Sequence, residues 1–139
     1  MTDYNFRYFK APQEKNGKIV YTPIPLLDIL VNYKRGSMLN ILALVDSGSG
    51  VNLFPASIGE KLGINIRKGK KHKIAGIGDV IIETFIHEGI GIFVEGHKIE
   101  TNAHFSYQQQ IPLLGQNGFF DKCDKVFFNR KEEEIIITI

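Results

Sequence analysis

Residues 39–55 read LNILALVDSGSGVNLFP, an apolar run from Ile41 to Val45 that stops abruptly at Asp46, Ser47 and Gly48. Ionised carboxyls avoid apolar surroundings unless they are paired or hydrogen-bonded, so a buried strand ending on one holds it for a purpose or has a partner waiting. Upstream, Leu26 to Tyr33 has strand character, Lys34 to Ser37 forms a polar turn, and Met38 to Val45 returns apolar. That pattern predicts a hairpin that launches the triplet. Downstream, Val51 to Phe54 is extended again, and Pro55 followed by Ala56 to Leu62 predicts a short helix closed by Gly63.

Length and composition limit what can surround this stretch. At 139 residues and 43% hydrophobic, the chain can bury one real core but not two of comparable size. Seventeen basic and 15 acidic residues leave a net charge of +2, too small a field to argue for nucleic acid or an acidic membrane. The single cysteine, Cys123, excludes an internal disulfide framework and is read as a buried or half-buried small side chain. No apolar segment approaches the roughly 20 residues that span a bilayer, so no membrane partner is expected. Met1 to Lys10 lacks the apolar stretch of a signal peptide, and a cytoplasmic location is the expectation.

The remaining segments read as short β elements. Asn5 to Lys10 suits either a short strand or an arm packed on another surface, Pro12 to Lys18 reads as turn, and Pro23 and Pro25 confine the next segment to an edge. The basic run Arg67 to Lys73 has no interleaved aromatics and is read as a solvated turn between strands; nucleic acid is not an expected partner. Ile74 to Ile82 places β-formers on either side of Gly76 and Gly78, a hairpin with a mobile apex. Gly89 to Val94 and Lys98 to Phe105 are strands joined at Glu95 and Gly96. His87, His97 and His104 match no common ligand spacing, so no metal is expected. Ile111 to Gly115 is a short buried strand, Gln116 to Lys122 a brief helix, and Val126 to Phe128 and Ile135 to Ile139 are closing strands. No internal repeat or low-complexity linker divides the chain. The expected architecture is mainly β, a partly closed barrel with one or two short helices.

Three features in order resemble the retropepsin-like aspartic proteases, the single-lobe relatives of pepsin. Leu44, Val45, Asp46, Ser47, Gly48 and Ser49 look like that family's catalytic loop; Ile74 to Gly78, about thirty residues on, looks like its glycine-rich flap. Leu113, Leu114 and Gly115 look like the apolar pair and glycine that pack behind the catalytic loop. The resemblance spans residues 26–139 as one domain, with residues 1–25 as an N-terminal arm or extra strand. It departs from viral members where an acid four places after the catalytic Asp pairs with an Arg after the later glycine. Gly50 and Gln116 stand there, so both partners are absent together and no lone charge is left behind. Asp79 stands where the flap commonly has a second glycine or an apolar residue.

The resemblance implies an aspartic endopeptidase acting on extended polypeptides, with no cofactor. Such chemistry needs two carboxyls sharing a proton, and the chain supplies one Asp-Ser-Gly triplet. A symmetric homodimer follows, with Asp46 of each copy meeting at the two-fold axis. In this reading Ser47, Gly48 and Ser49 support the catalytic loop. Gly76, Ile77 and Gly78 bond the substrate main chain, and Leu44, Ile111 and Leu113 line apolar pockets. The competing reading, favoured by Gly50, Gln116 and Asp79, is a retropepsin-like binding or oligomerisation module without proteolysis.

Overall fold

A computed structural model describes the backbone of residues 1–139 and every side chain except that of Ile77. Its frame is the hairpin of β4 (Leu26–Tyr33) and β5 (Leu39–Val45), antiparallel with Leu26 opposite Leu44 and Val31 opposite Leu39. Alternate residues face the core: Leu27, Ile29 and Val31 on one strand and Ile41, Ala43 and Val45 on the other are buried, while Asp28, Leu30, Asn40 and Leu42 are exposed. That period of two fixes the register, since a slip of one residue would turn the whole apolar set to water.

The chain then runs through β6 (Leu53–Pro55), the helix α1 (Ala56–Lys61), β7 (Lys70–Ala75), β8 (Ile81–Val94), β9 (His97–Ser106) and β10 (Leu113–Leu114). Six of these strands close on themselves in the order β4-β5-β10-β6-β9-β8, because β8 returns to pair with β4. Closure leaves few free edges, and β7 hangs on the outer half of β8. Where the sequence suggests two separate strands on either side of residues 83–88, β8 is continuous for 14 residues. Its register shifts between His87 and Ile90, with Gly89 at φ +77°. This bulge lets one strand serve two partners, β7 through Ile81–Ile86 and β4 through Ile90–Phe93.

A second sheet joins the chain ends. Strand β12 (Glu134–Thr138) lies between β1 (Asp3–Arg7) and β11 (Lys125–Asn129), and its Ile135 and Ile137 are fully buried in a core shared with the barrel. The remaining strands, β2 (Phe9–Lys15) and β3 (Lys18–Ile24), pair only with each other.

Three expectations need correction. Pro12 to Lys18 is largely strand, because Pro12 occupies an edge strand whose outward position needs no N–H. Gln116 to Lys122 does not form an α-helix: Gly118 at φ +116° interrupts it, leaving only a 3-10 turn at Phe120–Lys122. The basic run is not a turn throughout, since Lys70 to Lys73 lie in β7. Aromatic neighbours come to it from elsewhere in the chain: Arg67 lies 4.7 Å from the Tyr107 ring centre, and Lys71 reaches Glu83 at 3.9 Å. No helix among the described residues is long and apolar enough to cross a membrane.

The histidines serve the barrel. His87 Nε2 bonds the Ile66 carbonyl oxygen at 2.8 Å, and buried His104 meets Thr84 Oγ1 at 2.9 Å through Nδ1. The Thr84 hydroxyl also donates to the His72 carbonyl oxygen, so His104 Nδ1 carries the proton in their shared bond. Burial, and secondarily the charge of His72, push His104 down from 6.5 to about 4. A lowered imidazole value favours the fold fully above the unfolded value, and that contribution disappears as pH falls from about 6.5 through about 4. It amounts to at most about 3 kcal/mol. Thermal melts are therefore expected to show a falling midpoint between pH 7 and pH 4, and His104→Gln to flatten that slope.

Candidate active site

Strand β5 delivers Asp46 to a point where three segments cross. Val45 N–H donates to the Pro25 carbonyl oxygen at 3.0 Å, Leu44 N–H to that of Pro112 at 2.8 Å, and Asp46 N–H to that of Leu114 at 2.9 Å. The last two bonds belong to the parallel pairing of β5 with β10, in which Leu113 lies opposite Leu44. The carboxylate is thus carried by backbone held on both sides, and not by a free loop.

The turn beyond it is closed by its own groups. Ser49 N–H donates to the Asp46 carbonyl oxygen at 3.1 Å, Gly48 N–H to Asp46 Oδ1 at 2.9 Å, and Ser49 Oγ to the Val51 carbonyl oxygen at 2.7 Å. Ser49 therefore spends its hydroxyl proton inside the turn. Asp46 is half-buried, Ser47 and Gly48 are exposed, and among the described residues the ion pairs do not include Asp46. Among the described residues the carboxylate has one backbone donor, Gly48 N–H, and no cation within ion-pair distance.

The segment after β10 stitches this turn in place. Gln116 N–H donates to the Ser49 carbonyl oxygen at 2.9 Å, and Asn117 N–H to that of Gly50 at 3.0 Å. The Gln116 side chain adds a bond from Nε2 to the Ser47 carbonyl oxygen at 2.9 Å. A neutral carboxamide thus ties the later segment to the turn. Between the two segments sits Gly115, where a Cβ would fall 2.2 Å from the Val51 carbonyl oxygen; main chain passes main chain too closely for any side chain.

Asn52, which nothing in the apolar pattern singles out except its being polar between Val51 and Leu53, is fully buried beneath this crossing. Its Oδ1 accepts from Gly115 N–H at 3.0 Å, its Nδ2 donates to the Asn102 carbonyl oxygen at 3.1 Å, and its own carbonyl accepts from His104 N–H at 2.8 Å. One side chain thereby links the turn, β10 and β9.

The glycine-rich hairpin is the apex between β7 and β8. Gly76 N–H donates to the Val80 carbonyl oxygen at 2.6 Å, and Gly78 and Asp79 both take left-handed backbone, φ +73° and +60°. Asp is among the few non-glycine residues that tolerate that region, so Asp79 fits the apex without a second glycine. Gly76, Gly78 and Val80 are exposed, and the Ile77 side chain lies outside the described residues. Of the proposed pocket residues, Leu44 and Leu113 are half-buried and face each other in register, whereas Ile111 is exposed on the connection before β10. A cleft of about 520 Å³ is lined by residues such as Lys34, Lys98, Thr101 and Asp121, and includes neither Asp46 nor the hairpin apex. Asp46 itself is half-buried, and Ser47, Gly48 and Gly50 of the turn that follows it are exposed.

Comparison with solved structures identifies the architecture. The chain is similar over 98% of its length, and 98% of the other's, to a retropepsin-like aspartic protease from Rickettsia conorii, with a TM-score of 0.66 at 14% identity. It is also similar to EIAV protease complexed with an inhibitor, with a TM-score of 0.52 and 22% identity over 66% of this chain and 81% of that one. The fold is that of the retropepsin-like proteases. No family model matches the sequence, and no curated protein matches it.

The crossing supplies a direct test. Asn52→Ala would leave the Gly115 N–H without its acceptor and remove the bond to the Asn102 carbonyl oxygen, an expected loss of about 1–3 kcal/mol. Urea denaturation of the variant against the parent measures it.

Proposed function

We propose that the chain is one half of an aspartic endopeptidase, active as a homodimer in which Asp46 of each copy meets its counterpart across a two-fold axis. The observation that carries the reading is the placement of Asp46: a half-buried carboxylate without a cation partner, fixed at the β5–β10 crossing of a retropepsin-like fold. The exposure of Ser47, Gly48 and Gly50 beside it suits a site completed by a second copy. The lone Asp-Ser-Gly triplet requires the same arrangement.

The chemistry follows from two carboxyls held close together. Like charges at hydrogen-bond separation cannot both ionise cheaply, so the pair holds one proton between them. The ionised member accepts a proton from a water lying between them as that water attacks the scissile carbonyl. The protonated member donates to the carbonyl oxygen, where negative charge develops. Collapse of the tetrahedral intermediate returns a proton to the leaving amine. Gly48 N–H, bonded to Asp46 Oδ1, holds each carboxylate in orientation. The substrate lies extended beneath the hairpin of Gly76 to Gly78, bonded main chain to main chain, with Leu44 and Leu113 lining an apolar subsite. Closure of the hairpins over it excludes bulk water.

The non-catalytic alternative drew on Gly50, Gln116 and Asp79. Gln116 bonds the Ser47 carbonyl oxygen and Asp79 adopts the backbone its position requires, so neither substitution argues against a working site. Asp46→Asn keeps an oxygen for the Gly48 N–H while removing the ionisable group. Cleavage of an extended peptide library is expected to fall by about 10³-fold or more with the melting midpoint nearly unchanged. Activity that survives this substitution would overturn the assignment of Asp46.

A further inference from the structure

The ribbon of β2 and β3 stands out because it pairs with nothing else: seven residues in each strand form a two-stranded sheet of their own. An isolated hairpin is at best marginally stable in water. This one nonetheless exposes large apolar side chains, with Ile19 at 69% and Tyr21 at 64% of full exposure. They are not scattered. Ile19 and Tyr21 alternate onto one face, where Tyr21 lies opposite Pro12 in register, whereas Ala11, Thr22 and Ile24 on the other face are half-buried. The ribbon therefore has one face that is partly buried near its root, and an open face on which Pro12, Ile19 and Tyr21 lie beside the exposed Lys10 and Glu14.

Its root lies at the candidate active site. Pro25, the residue that follows the ribbon, accepts the bond from Val45 N–H, one position before Asp46, and Leu26 pairs with Leu44. The ribbon extends about 20 Å from that root at strand spacing. Any dimer that brings two Asp46 carboxyls into hydrogen-bond range must place the second copy's body within that reach. Surface requirements agree. A stable interface takes about 20–30 residues a side, far more than the exposed turn of residues 47–50 supplies, and the ribbon beside it provides the missing extent. Pro12 and Pro23 withhold N–H groups from the two ribbon edges, so contact through the open face is favoured over addition of a further strand.

We propose that the β2–β3 ribbon is a clasp that lays Pro12, Ile19 and Tyr21 against a second copy of the chain, contributing most of the contact that holds two Asp46 half-sites together. The proposal rests on the homodimeric reading above, and its test separates the two. Sedimentation over a concentration series would compare the parent chain, Ile19→Glu/Tyr21→Glu and Asp46→Asn, with peptide cleavage measured on the same samples. The clasp predicts a dimer whose dissociation constant rises roughly 100-fold in the double variant, with an unchanged circular dichroism spectrum, and which forms as tightly in Asp46→Asn as in the parent. A double variant that dimerises as well as the parent, or a parent that stays monomeric throughout, would overturn it. A parent that dimerises through the ribbon but cleaves nothing would support the clasp and remove the endopeptidase reading.

Discussion

The structure turns on the close passage of main chain at Gly115, between the turn that follows Asp46 and the segment that follows β10. Backbone groups of Asp46, Ser49 and Gly50 bond directly to those of Leu114, Gln116 and Asn117, and this is possible only because position 115 carries no side chain. The bonds that tie Asp46 and its turn to the later part of the chain are made at this crossing. Strand β10 reaches β5 only if Gly115 lets it pass, and the barrel closes only if β10 fills the gap between β5 and β6. Asn52 then converts the crossing from a contact into a joint by bonding the Gly115 N–H from below.

This arrangement explains how a short chain can hold a carboxylate half-buried. The energetic burden is spread over backbone hydrogen bonds, each modest in net value, and not placed on a charge pair that would have to be desolvated. Gln116 fits that logic, since its neutral carboxamide makes the bond to Ser47 without burying a charge. The same economy holds in the barrel wall, where His104 sits beside Thr84 and His72 in its neutral form.

Much of this was legible in the sequence where the signal is local. The hairpin β4–β5 shows in its period-two apolar pattern, α1 in Pro55 and Gly63, and Asp46 in the abrupt end of an apolar run. What could not be read are relations between distant positions. Gln116 meets Ser47 across 69 residues and Asn52 meets Gly115 across 63, and polarity at one position does not name its partner. The bulge at Gly89 hid the continuity of β8 because a strand that changes partners looks, along the chain, like two strands with a break. The missing helix after Gln116 has the opposite cause: local composition favours a turn of helix, while the approach of Gly118 to Asn52 imposes another backbone. Pro12 misled for a related reason, since proline argues against central strands but not against a ribbon edge.

The central claim is that Asp46 acts as half of a shared site, and subunit mixing tests it most directly. Parent chain and Asp46→Asn would be combined at constant total concentration, allowed to exchange, and assayed for peptide cleavage. If each active centre needs the carboxylate of both copies, activity falls as the square of the parent fraction, because mixed dimers contribute nothing. Activity that falls in simple proportion to the parent fraction would mean that one Asp46 suffices, and would contradict the account.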